Sequence, residues 1–241
     1  MGESRFRGRV AVVTGGNGGL GKAVVTAFLA EGARVAALGR HDASLAELRA
    51  LPGADAALLT LAVDLVDARA AEQAARSVRD WAGRLDILVN TAGAYAGGTL
   101  VGASTDEEWR AMLDANLLTA LHATRAALPL MVAGGGGRII NVSSRAARQV
   151  GSGAAAYTVA KASLETLTLA LALAEEYREQ RITANAVAPS AIATPTMLAH
   201  ATDEERTRWV TPESLTRVIL FLASEEAADV SGAIIPVYGR A

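Results

Sequence analysis

Tyr157 and Lys161 are the residues whose types and spacing point most directly to chemistry. Their separation of four residues places the phenol and the ammonium on one face of a helix, where the cation stabilises a phenolate. Free tyrosine titrates near about 10, so a fixed positive charge is the simplest way to lower its pKa toward neutral pH. Taken alone, such a pair is more often a solvated lysine beside a half-buried tyrosine. The chemical interpretation therefore depends on the other motifs.

A glycine-rich segment, TGGNGGLG at residues 14–21, follows the first apolar run of the chain. Its glycines let the backbone turn sharply and admit a pyrophosphate to the start of the next helix, where free amides and the helix dipole attract anions. A strand before it and a helix after it make the pattern specific for a dinucleotide. The predicted contacts of this segment are Thr14, Gly15, Asn17, Gly19, Leu20 and Gly21.

The elements that must position these motifs alternate along the chain: short runs rich in Val, Ile and Leu are separated by amphipathic stretches rich in Ala. Strands that are apolar throughout are those buried on both faces, which predicts a doubly wound parallel sheet between two helix layers. The predicted strands are Val10–Thr14, Val35–Leu38, Leu58–Val63, Ile87–Asn90, Arg138–Ser143, Ile182–Ala188 and Ile234–Val237. The predicted helices are Leu20–Glu31, Ala43–Leu51, Ala68–Ala82, Thr105–Val132, Ala155–Arg178 and Pro212–Ala223.

Composition narrows the classes of function. No break in composition divides the 241 residues, so the prediction is one α/β domain over residues 1–241. A net charge of −2 without Lys/Arg clusters argues against a nucleic-acid partner. Cysteine is absent and the three histidines lack metal-ligand spacing, so we expect no metal. No apolar run reaches the length of a signal peptide or a membrane span, and we expect a cytoplasmic protein without a membrane partner.

The spacing Thr-Gly-x-x-x-Gly-x-Gly resembles that of the short-chain dehydrogenase/reductase family, whose other marks follow in order. NTAG at residues 90–93 resembles the family's Asn-Asn-Ala-Gly, with Thr91 replacing the second Asn. Asp64 resembles its adenine contact. Pro189 and Ser190 stand where the family usually has Pro-Gly, and this serine reduces the freedom of the backbone at the turn. The resemblance runs almost from end to end.

The resemblance implies an NAD(P)-dependent enzyme that moves a hydride between nicotinamide and a small carbonyl or alcohol. Tyr157 would then donate the proton in reduction, while Lys161 would lower the pKa of that tyrosine and hydrogen-bond the nicotinamide ribose. Ser144 would hold the substrate oxygen, and Asn116 would hold a water that refills the relay. The further cofactor contacts that it implies are Asp64, Leu65, Asn90, Ala92, Gly93, Pro189, Ile192 and Thr194.

The residue after the second strand bears on the choice of cofactor. Where an acidic residue would bind the adenosine ribose hydroxyls and select NAD, the chain has Gly39 followed by Arg40. A guanidinium suits a 2′-phosphate, so NADP(H) is favoured over NAD(H). The alternative is that Arg40 lies on an exposed loop and does not contact the cofactor.

Residues 191–211 form the predicted substrate lid, which is short and holds few large side chains. This predicts a compact or partly open pocket for a small or flat substrate. Arg145 and Arg148 follow the catalytic serine and can meet an anionic group, or are solvated loop arginines. The predicted substrate contacts are Tyr95, Ser144, Arg145, Val150, Ser190, Met197 and Trp209.

Three alternatives to a carbonyl reductase stay open. The lid from Thr194 to Trp209 resembles that of dihydropteridine reductase, which implies a quinonoid pterin. A 3-oxoacyl thioester is the second alternative. The third is a regulator that binds the dinucleotide without turning it over. Apolar residues on more than one face of the helices around residues 117–130 and 162–173 predict a homo-oligomer, a tetramer or a dimer.

Overall fold

The computed structural model describes residues 4–173 and 175–240. Seven parallel strands form one sheet in the order β3-β2-β1-β4-β5-β6-β7. The strands are β1 (Val10–Thr14), β2 (Arg34–Gly39), β3 (Leu58–Ala62), β4 (Ile87–Asn90), β5 (Gly137–Val142), β6 (Ile182–Pro189) and β7 (Ile234–Val237). The strand order reverses direction between β1 and β4, and in open α/β sheets the crevice beyond the carboxyl ends at such a point is where ligands bind.

Helices connect the strands and cover both faces of the sheet. They are α1 (Gly19–Ala30), α2 (Asp42–Leu45), α3 (Ala68–Ala82), α4 (Asp106–Leu113), α5 (Thr119–Ala133), α6 (Ala155–Leu173), α7 (Glu175–Glu179), α8 (Pro195–Leu198), α9 (Asp203–Arg208) and α10 (Pro212–Ala223). Side chains just before several of them cap the first turn. Thr105 and Glu108 form a capping box at α4, and Thr211 precedes α10, whose first residue is Pro212.

Two apolar cores lie on opposite faces of the sheet. Val13 belongs to the core that contains Phe28 of α1 and Ile219 of α10. Its neighbour Val12 belongs to the core that contains Val78 of α3. Successive strand residues point to opposite faces, so each central strand serves both cores and is buried throughout.

The structure confirms the doubly wound parallel sheet of seven strands, and corrects several boundaries. β3 is half-buried rather than buried, because it is an edge strand with a neighbour on one side only. The predicted helix Ala43–Leu51 is a single turn of α-helix followed by a 3₁₀ segment at Ala46–Ala50. The predicted helix Ala155–Arg178 corresponds to α6 and α7. Two short helices, α8 and α9, occupy the predicted lid, where no helix was expected.

The predicted helix Thr105–Val132 is interrupted by a π-helical turn, Asp114–Leu118, between α4 and α5. Such a turn inserts one extra residue into the helical repeat, which apolar periodicity cannot reveal. Among the described residues, none of the helices combines the length and the apolarity that crossing a bilayer requires.

Candidate active site

Four chemically competent side chains converge near the carboxyl edge of the sheet. Ser144 follows β5, Tyr157 and Lys161 lie one turn apart on α6, and Asn116 lies in the π-helical turn. Tyr157 hydrogen-bonds Ser144. Lys161 Nζ lies 5.9 Å from the centre of the Tyr157 ring. The structure thus brings together the four residues that the sequence predicts to be catalytic.

Lys161 is buried, with only 5% of its surface exposed. Its Nζ donates a hydrogen bond to the Val142 carbonyl oxygen at 2.8 Å. Burial lowers the pKa of Lys161 to about 8, because the low-dielectric interior disfavours the ammonium. At neutral pH the side chain still carries its charge, now held beside the end of β5.

Burial raises the pKa of Tyr157, the hydrogen bond with Ser144 partly lowers it, and Tyr95 adds a smaller increase. The Tyr95 ring packs edge-on against that of Tyr157, with centroids 5.0 Å apart. The net shift of the Tyr157 pKa is therefore upward, opposite to the lowering expected from Lys161. Lys161 Nζ donates to the Val142 carbonyl oxygen, and desolvation of the phenol is the largest cause of the shift. Tyr157 is a neutral, proton-bearing phenol at neutral pH.

Asn116 fastens the loop after β4 to the π-helical turn. Its Oδ1 accepts a hydrogen bond from the Ala94 backbone N–H at 3.2 Å, and its Nδ2 donates to the carbonyl oxygens of Ala94 at 2.9 Å and Met112 at 3.0 Å. A Cβ at Gly93 would lie 2.8 Å from Asn116 Oδ1 and 3.4 Å from Lys161 Nζ. The backbone at Gly93 therefore contacts both side chains, which a larger residue would push apart.

The glycine-rich segment has the shape that a dinucleotide phosphate requires. A Cβ at Gly21 would overlap the carbonyl oxygen of Gly15, so only glycine allows α1 to begin this close to the preceding turn. Gly18 and Gly19 are exposed at the start of α1. The first N–H groups of a helix lack intrahelical acceptors, so this exposed end fits a pyrophosphate.

A chain of hydrogen bonds between buried polar side chains connects β4, β5 and α6 next to the site. Asn90 Nδ2 donates to Asn141 Oδ1 at 2.8 Å, and Asn141 Nδ2 donates to Thr168 Oγ1 at 2.9 Å. Thr91 donates to the Thr14 carbonyl oxygen at 2.5 Å, so the residue that departs from the family motif links β1 to β4. Sequence reasoning missed Asn141 and Thr168. The signal for Asn141 was an amide inside the apolar strand β5.

A cleft of about 490 Å³ opens above β1, β2 and β4. Thr14 and Asn90 are buried behind the cleft.

The other predicted cofactor residues lie next to the cleft or at the base of the lid. Gly19 packs closely against the lid, because a Cβ at this position would lie 2.7 Å from Thr194 Cβ. Leu20, Gly21 and Pro189 are buried, and Ile192 pairs with Val210 at the base of the lid. The predicted cofactor residues that line the cleft are Gly15, Asn17, Arg40, Asp64, Leu65, Ala92 and Gly93.

The predicted substrate residues divide into exposed and anchored groups. Tyr95, Val150 and Met197 are exposed, and the loops that carry Tyr95 and Val150 are joined by a hydrogen bond from Gly98 N to the Gly153 carbonyl oxygen at 2.9 Å. The anchored residues are Ser144, half-buried at the end of β5; Arg145, beside the ring of Tyr238; Ser190, buried after β6; and Trp209, half-buried after α9.

Sequence reasoning also missed Glu165, which lies one helical turn after Lys161 on α6. Its carboxylate is buried, and it accepts hydrogen bonds from Ser143 Oγ at 2.9 Å and from Arg148 Nε at 2.9 Å. These contacts bracket the segment that contains Ser144. A charged residue on a mostly apolar helix was the available signal.

Residues 9–205 match the family model described as short chain dehydrogenase. The chain belongs to this family. Acetoacetyl-CoA reductase of Allochromatium vinosum is 33% identical to this dehydrogenase over 96% of the chain and 97% of its own length. A 2,3-dihydroxy-2,3-dihydro-p-cumate dehydrogenase of Pseudomonas putida is 37% identical over 97% of the chain and 94% of its own length. A short-chain type dehydrogenase/reductase from Mycobacterium ulcerans superposes with a TM-score of 0.89 at 29% identity, covering 98% of this chain and 90% of that one.

Membership confirms the family and the enzyme class that the motifs predict: this dehydrogenase is an oxidoreductase whose family uses nicotinamide dinucleotides and small-molecule substrates. The relatives' names describe different substrates, so the family alone does not select one.

Proposed function

We propose that this dehydrogenase transfers hydride reversibly between NADP(H) and a small carbonyl or alcohol substrate, with Tyr157 as the general acid and base. The observation that carries the proposal is the convergence of a proton-bearing, half-buried Tyr157 with Ser144 and a buried Lys161. When bound, the nicotinamide supplies or accepts the hydride. The protein's own residues handle the proton and the charge on the oxygen.

In the direction of reduction, the Ser144 hydroxyl hydrogen-bonds the substrate oxygen and Tyr157 donates its proton to that oxygen. The buried Lys161 ammonium stabilises the phenolate that remains. Asn116 holds the loop at Ala94 beside Lys161, where a water can return the proton. With its raised pKa, Tyr157 is protonated at neutral pH, which is the form that an acid in reduction requires.

Two features of the cleft support NADP(H) as the cofactor: the exposed Arg40 and the crowding at Gly39. Arg40 is exposed at the rim of the cleft and has no carboxylate within 4 Å in the described ranges. A Cβ at Gly39 would lie 2.5 Å from Asn17 Oδ1, and Ser44 holds Asn17 through a 2.9 Å hydrogen bond. An acidic side chain at position 39, which would favour NAD, thus has no room unless Asn17 moves, whereas the Arg40 guanidinium is free to meet a 2′-phosphate.

A 3-oxoacyl thioester reductase is the second candidate. It is favoured by the similarity to acetoacetyl-CoA reductase, which extends over nearly the whole of both chains. The hydride and proton chemistry at Tyr157 is the same for a free ketone and for a 3-oxoacyl thioester. The two candidates therefore differ only in what the substrate carries beyond its carbonyl.

We also propose a homo-oligomer in the cytoplasm. Val159, Leu169 and Leu173 leave 43%, 39% and 69% of their surfaces exposed along α6. Apolar side chains aligned on one helix favour burial against a second copy. The chain has no cysteine, so it has no disulfide framework that would indicate an oxidising compartment.

Initial rates with NADPH and NADH against small ketones, aldehydes, acetoacetyl-CoA and a quinonoid pterin test the proposed function. We expect turnover that prefers NADPH and falls by about 10²–10⁴-fold in Tyr157→Phe, because a positioned acid contributes about that factor. Tyr177→Phe on α7 is the matched control and keeps wild-type turnover. Turnover that survives Tyr157→Phe would remove the tyrosine from this role. Cofactor binding without turnover of any compound would favour the regulator.

A further inference from the structure

Two arginines follow Ser144 on the loop after β5, and the structure separates their roles. Arg148 donates to the buried carboxylate of Glu165 at 2.9 Å, so its charge is already paired. Arg145 has no carboxylate within 4 Å in the part of the chain that the structure describes. Its guanidinium carbon lies instead 5.7 Å from the centre of the Tyr238 ring. Of these two arginines, Arg145 is therefore the one whose charge is not paired with a carboxylate, and it follows Ser144 in the chain.

The loop that carries Arg145 is held in place from both ends. Glu165 accepts hydrogen bonds from Ser143 on one side and from Arg148 on the other. Between them, the Arg145 carbonyl oxygen accepts backbone hydrogen bonds from Arg148 N at 3.0 Å and Gln149 N at 2.9 Å. The backbone at Arg145 is therefore fixed relative to Ser144.

The backbone that carries the ring beside Arg145 is also held in place. Ser190, which stands where the family usually has glycine, donates from Oγ to the Tyr238 carbonyl oxygen at 2.8 Å. Its backbone N–H donates to the Val237 carbonyl oxygen at 3.2 Å. The departure from the family pattern thus supplies the hydroxyl that holds the backbone of Tyr238 in place. A guanidinium beside a fixed aromatic ring loses little further freedom when it binds a ligand.

We propose that Arg145 binds an anionic group on the substrate, with Tyr238 and Ser190 as positioning residues. This proposal rests on the proposed function, and it assigns the substrate class: a carbonyl compound that carries a carboxylate or a phosphate. Arg145 directly follows Ser144, whose hydroxyl holds the reacting oxygen, and its guanidinium lies beside Tyr238, so the anion is placed on the part of the substrate that extends from the carbonyl toward Tyr238. The planar guanidinium binds either group through paired hydrogen bonds.

Three substrates with one 3-oxobutanoyl skeleton test this assignment: acetoacetate, its neutral methyl ester and acetoacetyl-CoA. For wild type and Arg145→Gln, we compare kcat/KM for each anion divided by kcat/KM for methyl acetoacetate. We expect Arg145→Gln to lower the acetoacetate ratio by about 10–100-fold, the range of a charged hydrogen bond. A fall confined to acetoacetyl-CoA would identify the carrier's phosphates as the anion.

Arg69→Gln is the matched control, because Arg69 is an exposed arginine on α3, and it should leave both ratios at the wild-type value. Unchanged ratios in Arg145→Gln would overturn the proposal. Equal losses with all three substrates leave the ratios unchanged in this way, and would mean that Arg145 only maintains the site.

A binding measurement separates this proposal from the proposed function. Calorimetric titration of acetoacetate, and separately of acetoacetyl-CoA, into Tyr157→Phe loaded with NADPH requires no turnover. We expect Tyr157→Phe to bind at least one of the two anions, and the double variant Tyr157→Phe, Arg145→Gln to bind neither. This expectation holds whether or not the wild-type enzyme reduces the bound anion. Binding with no turnover by wild type would reject the proposed function alone, and failure of both anions to bind Tyr157→Phe would reject the anion site.

The two positioning residues give a further readout. Tyr238→Leu removes the ring and should raise KM for the bound anion by about tenfold without the same rise for methyl acetoacetate. Tyr238→Phe keeps the ring and should restore the wild-type KM. Ser190→Gly should give an intermediate KM. A KM in Tyr238→Phe that matches that of Tyr238→Leu would contradict the role of the ring.

Discussion

Lys161 is the residue at which the chemistry and the stability of this dehydrogenase conflict. The proposed reaction uses its ammonium as a cation beside Tyr157, whereas burial of that ammonium lowers its pKa from 10.5 to about 8. Between these two values the unfolded chain binds more protons than the folded one. The free energy of unfolding therefore rises with pH from about 8 to 10.5, and the full cost of the buried charge is present below 8.

Lys161→Met should abolish hydride transfer and raise the free energy of unfolding at pH 7 by on the order of 2 kcal/mol, since it removes the buried charge. Urea unfolding at pH 7 and at pH 11 measures the effect, and the gain should vanish at the higher pH. Lys22→Met, at an exposed lysine paired with Glu47, is the control and should show no such dependence on pH. A loss of stability at pH 7 in Lys161→Met would contradict the cost assigned to the buried ammonium.

Arg40 provides a test of cofactor choice at a single residue. Arg40→Ser should raise KM for NADPH by about tenfold or more while KM for NADH changes little, because only NADPH carries the 2′-phosphate. Arg49→Ser is a matched control in the same loop region, since the Arg49 guanidinium is engaged by Asp42 and Thr60. Equal increases for both cofactors in Arg40→Ser would show that Arg40 supports the fold of the loop instead.

Among the elements, α6 carries both the proposed acid–base pair and the support for the serine loop. Glu165→Gln leaves Arg148 without a charge partner and weakens the bond to Ser143. We expect kcat to fall by about tenfold while the dissociation constant for NADPH stays constant, because Ser144 shifts and the cofactor cleft does not. Steady-state kinetics and fluorescence titration of NADPH separate the two quantities.

The control for that variant is Glu72→Gln on α3, which removes an exposed i,i+4 ion pair with Arg76 and should change neither quantity. A parallel loss of NADPH binding in Glu165→Gln would mean that the change disturbs the whole fold. In that case Glu165 could not be described as a positioning residue for Ser144.

The elements also show what sequence can and cannot predict. β1, β4, β7, α3 and α10 begin and end where the pattern places them, because apolar runs and capping residues mark their ends locally. The π-helical turn at Asn116 and the contacts of Glu165 depend on partners more than 15 residues away. The residue types of the site were predictable from motif spacing. Their pKa shifts were not, because desolvation depends on the packing around them.

At the scale of the whole molecule, the exposed apolar side chains of α6 predict where two copies meet. Leu173→Glu should lower the molar mass measured by light scattering, because a carboxylate in an apolar interface must be desolvated. Phe221→Glu on α10 is a comparable change on another helix, with 42% of the native side chain exposed. A wild-type mass in Leu173→Glu combined with dissociation in Phe221→Glu would place the interface on α10 instead.

The burial of Lys161 also means that amine-reactive labels should distinguish the two lysines of the chain. Lys22 is the other lysine in the chain, and it is paired with Glu47 on the surface. Lys161 is only 5% exposed and its Nζ is hydrogen-bonded to the Val142 carbonyl oxygen, so a label reaches this amine only when the site opens. A ligand that holds the site closed should slow the modification of Lys161 and leave that of Lys22 unchanged. The ratio of the two modification rates would therefore report opening of the active site without any knowledge of the substrate.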